Sequence, residues 1–155
     1  MVSAKRQALS ARFTGLKPAS AKASRLAAKS SRKTGTACEA KLARHIRKLG
    51  FKFRRNVSSL PGCPDFVFDR ERVAVFADGD FWHGRRLQSR LEKLAKGHNS
   101  QYWIRKIQLN VARDRRVRRR LRTLGWSVIR VWEGDINANI AGVTARVRKV
   151  LQNAP

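Results

Sequence analysis

The sequence predicts an α/β domain, with a central mixed β-sheet flanked by helices, over residues 34–155 and a basic, disordered arm over residues 1–33. Three observations carry this. Apolar residues recur at helical spacing in residues 36–50, 101–124 and 136–151. Short β-rich runs stand between them, at residues 51–57, 65–68, 73–77 and 126–132. The resulting order of helix, strand, hairpin, helix, strand, helix alternates the two periods, as α/β layering requires.

The arm is rich in Ala, Ser, Lys and Arg, contains no acid, and lacks the hydrophobicity to fold alone. It reads as a DNA-binding arm, a solvated tail, or an organelle transit peptide. In residues 36–50, Leu42, Ile46 and Leu49 share one helical face and Gly50 is a C-terminal stop. Thr36 and Glu39 have the spacing of a capping box. Residues 51–57 alternate rings with cations, as a half-buried strand does. Residues 85–100 are basic and helix-compatible, ending in the turn Gly97-His98-Asn99. From residue 101 to 124, Ile104, Ile107, Val111, Val117, Leu121 and Leu124 form one stripe, with Asp114 in its middle. That acid is either a structural salt bridge to an arginine or the orienting partner of a histidine, since an unpaired carboxylate facing a core is costly. Gly125 stops this helix before the last strand. Ile140, Val143, Val147 and Val150 mark a single terminal helix packed on the sheet.

The 155 residues carry 36 basic against 10 acidic side chains, a formal charge of +26. A field of that sign attracts polyanions, and nucleic acid is the expected one. No apolar run reaches the roughly 18 residues of a spanning helix, so a membrane is not expected. Seven arginines in residues 113–122 repel one another, which a phosphate-tracking surface explains better than a solvated face. Cys38 and Cys63 form no CxxC, so a reduced intracellular setting is expected.

The chemistry concentrates in residues 60–84. Asp69-Arg70-Glu71-Arg72 is a link of hairpin length between the two runs. If Phe68 pairs with Val73, Asp65 lies opposite Phe76, two residues from Asp78. Two carboxylates at the mouth of a hairpin suit Mg2+, which takes one or two carboxylates and several waters. Turn chemistry after Pro64 and at Asp78-Gly79 is the competing explanation.

The blocks PGCPDFVF, VAVFADGDFWHG, QYWIRKIQLNVARD and LGWSVIRVWE, in that order and spacing over roughly two thirds of the chain, resemble the very short patch repair (Vsr) endonucleases. These are mismatch-nicking enzymes with a restriction-endonuclease-like core. The resemblance implies that Asp65 binds Mg2+ together with the backbone carbonyl of Ala77. Asp78 stands where many members carry His, and it would add a second carboxylate or position a water. Glu39, besides its capping role, would organise metal-bound waters. His83 would move protons, its ring held by Asp114. Phe81, Trp82 and Trp103 would wedge into the duplex beside a mispair, where unstacking is cheapest. Arg85, Arg86, Arg115, Arg116 and Arg119 are the cations expected on phosphates. The family's structural zinc positions hold Asp80, Arg85, Leu87 and Gly134 here, so no zinc is expected.

The expected function is therefore Mg2+-dependent nicking of double-stranded DNA at or near a mismatch, by a monomer in the bacterial cytoplasm, on the nucleoid. Two other readings stay open: a restriction-like or mobile-element nuclease with another target, and a basic DNA-binding protein that does not cleave.

Overall fold

Thr36 starts the first helix in the way its sequence predicts. Its hydroxyl accepts the Glu39 N–H at 3.2 Å, and Glu39 returns a carboxylate oxygen to the Thr36 N–H at 3.4 Å. The helix, α1, spans Ala37–Arg47, with Leu42 and Ile46 fully buried. The computed structural model describes residues 35–80, 83, 85–95 and 100–154. The arm over residues 1–33, the rings of Phe81 and Trp82, and the turn at Gly97-His98-Asn99 lie outside them.

The alternating run at residues 51–57 yields only a two-residue strand, β1, Arg54–Arg55. Asn56 takes φ +50°, a left-handed conformation that ends the extended geometry. Phe53 nevertheless packs as alternation predicts, its ring 5.7 Å from those of Phe66 and Phe68. The hairpin forms from β2, Phe66–Phe68, and β3, Val73–Asp78, in the expected antiparallel register with Phe68 opposite Val73.

A long crossover follows, because the next strand lies parallel to β3. It contains α2, Leu87–Ala95, and α3, Ser100–Thr123. On α3, Ile107 and Leu121 are buried, whereas Leu124, the last member of the predicted stripe, falls past the helix end and is exposed. Gly125 at φ +77° then turns the chain into β4, Ser127–Trp132. The sheet order is β1-β2-β3-β4, antiparallel except for the β3–β4 pair. The predicted single terminal helix is two: α4, Glu133–Ala138, and α5, Ile140–Gln152. The break is Asn139, whose side chain accepts the Gly142 N–H at 2.9 Å and so recaps the chain as a new helix.

The pleat divides the core. Phe66, Phe68, Val73, Val75, Ile129 and Val131 pack with α1, α4 and α5 on one face. Val67, Ala74 and Phe76 pack with Leu121 of α3 and Trp126 on the other. Among the described residues, no helix is long and apolar enough to cross a membrane. The consequence for function lies in register. Phe76 pairs with Arg130, so Arg130 and Asp78 project from the sheet on the α3 side.

Candidate active site

Asp65 immediately precedes β2, and its Oδ2 accepts the N–H of Ala77 on β3 at 2.7 Å. No ion pair to it forms among the described residues, in a chain with 36 cations. Burial pushes the Asp65 carboxyl up to about 7, although the Ala77 N–H favours its ionised form. The fields of Glu39 and Asp78 push it the same way as burial. Glu39 is itself buried. Its oxygens accept Gly35 N–H at 2.9 Å and Thr36 Oγ1 at 3.0 Å, and Arg55 Nη2 stands 3.7 Å away. Its capping and its proximity to Asp65 thus coexist.

A carboxyl held near neutrality among other carboxylates is a place short of positive charge, and its donor chemistry fits a hard divalent cation. Among the described residues, no three His, Cys, Asp or Glu side chains converge to cage an ion. An ion here would be held by Asp65, the Ala77 carbonyl and water.

Asp78, expected to meet a metal ion or position a water, also has a partner within the protein. Its side chain is nearly inaccessible and forms a two-point ion pair with Arg130, whose Nε donates to Oδ2 and whose Nη2 donates to Oδ1 at 2.6 Å. Arg130 was not among the residues singled out from sequence. Its Nη2 also lies 3.2 Å from Asp114 Oδ2, and its guanidinium sits 5.2 Å from the Phe76 ring centroid. Asp114, midway along α3, meets His83 Nδ1 at 2.7 Å, and Asp78 Oδ1 stands 3.4 Å from the same nitrogen. With two carboxylates at Nδ1, that nitrogen carries the hydrogen and Nε2 is left to exchange a proton. Burial tends to raise the Asp114 carboxyl, but the His83 hydrogen bond and the Arg130 charge outweigh it and hold it below the usual range. The carboxylate therefore stays ionised and keeps the imidazole's tautomer fixed.

The other expected residues are spread around this centre. Trp103 is half-buried in the first turn of α3, edge-on to Tyr102 at 5.0 Å, with Lys106 Nζ 5.4 Å from its ring. Arg115, Arg116 and Arg119 are exposed along α3, and Arg86 is exposed at φ +51°. Arg85 differs: its guanidinium is bound within the protein, to Asp80 at 3.1 Å and Asp135 at 2.5 Å. Three of the four positions where the resemblance places zinc ligands therefore meet in another way. Asp80 accepts from Arg85 and from the backbone N–H of Gly134, the latter at 3.1 Å.

The DNA mismatch endonuclease Vsr family matches residues 19–89, which include Asp65, Asp78 and His83. Over 124 residues the chain is 40% identical to the Type II nicking enzyme V.NmeDIP of Neisseria meningitidis serogroup C, covering 80% of this chain and 82% of that protein. It is 35% identical over 122 residues to the Type II nicking enzyme V.HpaIIP of Haemophilus parainfluenzae, covering 79% and 85%. With the DNA mismatch endonuclease Vsr of Escherichia coli (strain K12) it shares 44% identity over 98 residues, 63% of this chain and 61% of that one. On this likeness, which runs through the acid-bearing hairpin and the histidine segment, the chain belongs to the Vsr endonuclease family and has its restriction-endonuclease-like fold.

Proposed function

We propose that this chain is a Mg2+-dependent endonuclease that nicks one strand of duplex DNA at or near a mismatched pair, acting as a monomer in the bacterial cytoplasm, on the nucleoid. The observation that carries the reading is Asp65, a half-buried acid that forms no ion pair among the described residues, within electrostatic reach of a His–Asp pair. Cleaving a phosphodiester needs a proton taken from water, charge stabilised on the phosphorane, and a proton returned to the leaving 3′-oxygen. Mg2+ held by Asp65 and the Ala77 carbonyl would supply the charge stabilisation and make the attacking water acidic enough to lose its proton to solvent. The protein's own groups do the rest. His83 exchanges a proton at Nε2, Asp114 holds its Nδ1–H, and Asp78 with Arg130 crowds the same Nδ1 edge of the ring. Trp103, with Phe81 and Trp82 from the sequence, supplies the rings that test base-pair deformability.

The test is nicking of labelled duplexes, matched or carrying one mispair, with Mg2+ or with chelator, beside Asp65→Ala. Metal-dependent nicking confined to the mispaired duplex supports the proposal. Nicking of both duplexes indicates a nuclease with another target, and binding without nicking indicates a DNA-binding protein.

Two further outcomes are expected. His83→Ala should lower the single-turnover nicking rate by about 10²–10⁴-fold, the usual weight of a general acid–base group, with duplex affinity unchanged. Asp114→Asn should lose rate in the same assay because an amide no longer fixes the tautomer; equal rates for Asn and Asp would remove Asp114 from the scheme. Secondly, replacing Arg115, Arg116 and Arg119 by Ser should reduce the slope of log K against log salt by about 0.9 for each phosphate no longer neutralised. A slope equal to wild type would place the duplex on another face.

A further inference from the structure

Arg85 is a cation in a basic protein, yet it is poorly placed to meet DNA. Its two partners, Asp80 and Asp135, are both acidic, so the trio sums to one net negative charge. A phosphate approaching the guanidinium would meet two carboxylates already bonded to it. The contacts have another geometry in common: they tie the two ends of residues 80–85 to each other and to the start of α4. Asp80 Oδ1 accepts from Arg85 Nη1, Asp80 Oδ2 accepts the Gly134 N–H, and Arg85 Nη2 donates to Asp135 Oδ1. Gly134 lets this close, because a Cβ there would stand 2.5 Å from Asp80 Oδ2 and 2.7 Å from Arg85 Nη1. Between the tied ends stands His83, its N–H donating to the Gly79 carbonyl at 3.4 Å and its ring bonded to Asp114.

We propose that Arg85 is a positioning residue: by joining Asp80 to Asp135 it holds the chain that carries His83 in register with Asp114 and Asp65, and it does not contact the duplex. Its side chain and those of its partners are about one-quarter to two-fifths exposed, at 27%, 32% and 41%. Pairs so open to solvent add little to stability. Their effect should therefore appear in placement, where a displacement of about 1 Å can cost about 10²-fold in rate.

The kinetic part of the test rests on the nicking reading; the exchange part does not. Arg85→Ala, Arg85→Lys and Gly134→Ala are compared with wild type for single-turnover nicking, for duplex Kd across salt, and for hydrogen exchange of the His83 amide without DNA. Arg85→Ala and Gly134→Ala should each slow nicking by at least about ten-fold, with Lys recovering part of the rate. The salt slope should stay at its wild-type value, and the His83 amide should exchange at least about ten-fold faster. Gly134→Ala decides between roles, since it leaves the Arg85 cation in place; if it fails to fold, Asp135→Ala replaces it, which breaks the tie and also keeps that cation. A silent Gly134→Ala with an Arg85→Ala that binds more weakly, its slope reduced by about 0.9, would make Arg85 a phosphate contact and overturn the proposal. Unchanged exchange in both variants would overturn it too. If wild type itself does not nick, the functional reading falls and the exchange measurement alone decides this one.

Discussion

Asp65→Asn is expected to cut nicking by at least about 10³-fold, the scale of losing a preorganised electrostatic element, and to make the metal-free protein more stable. The second half follows from the cost of the native residue. A carboxyl moved from its ordinary 3.8 to about 7 by burial forfeits about 4 kcal/mol when it must ionise. Asn carries no charge, and its side-chain oxygen can still accept the Ala77 N–H. Between pH 4 and 7 the folded Asp65 is protonated while the unfolded one is not, so folding takes up a proton and wild-type stability falls as pH rises. The advantage of Asn should therefore be absent below about pH 4, grow through that window, and be complete above about pH 7. Mg2+ should narrow this gap and close it near saturation, because an ion that binds only the folded wild type stabilises it by about 2.7 kcal/mol at a hundredfold excess over Kd and about 4.1 kcal/mol at a thousandfold excess. Its apparent affinity should weaken about ten-fold per pH unit below about 7, where the ion displaces a proton. Thermal melts of both proteins at pH 8, in chelator and in saturating Mg2+, check this. An Asn variant that is less stable in chelator, or that gains as much from Mg2+ as wild type, would remove the ion from Asp65.

The sequence carried much of the route to this site, and it failed where tertiary contact decides. The hairpin register was legible because a four-residue polar link leaves Phe68 and Val73 little choice of partner. The capping box was legible because Thr36 and Glu39 interact locally. The short β1 and the break at Asn139 were not, since each turns on the backbone conformation of one Asn, a residue that also occurs inside longer elements. The site divides the same way. Asp114 stood out as an acid in an apolar stripe and Asp65 as one of two acids at a hairpin mouth, while the role of His83 came only from the family resemblance. Arg130 hid, because an arginine alternating with Ile129 and Val131 reads as the wet side of a strand. The signal that could have found it is parallel register, which sets Arg130 opposite Phe76 and hence beside Asp78. Nothing local specifies that pairing. The ion pairs of Arg85 were hidden for the same reason: from sequence it is one cation among many, and only the fold brings Asp135 to it.

Arg130→Met should be the most destabilising single change at the site. Only 11% of the Arg130 side chain is accessible, against 4% for Asp78 and 12% for Asp114. Removing it leaves Asp78 in the protein interior with His83 beside it to carry a balancing charge, while Asp114 keeps His83 and the exposed Arg113, 3.4 Å from its Oδ1. Breaking a buried pair in this way costs about 3–5 kcal/mol, because the abandoned charge keeps its desolvation penalty. For a domain of this size that corresponds to a melting temperature lower by roughly 10–20 °C. The destabilisation should shrink as pH falls, since a buried acid deprived of its cation takes up a proton more readily than one in an unfolded chain. Arg130→Lys should recover only part, as an ammonium cannot reproduce the two-point contact with Asp78. The double variant Asp78→Leu with Arg130→Met distinguishes charge from packing. Replacing both partners by apolar groups is often neutral or stabilising, so it should melt well above Arg130→Met alone. Urea unfolding of the four proteins at pH 8 and pH 5 measures each of these differences. If the double variant is as unstable as the single one, Arg130 contributes through its packing on Phe76, and the charge network around His83 is not what holds this part of the fold.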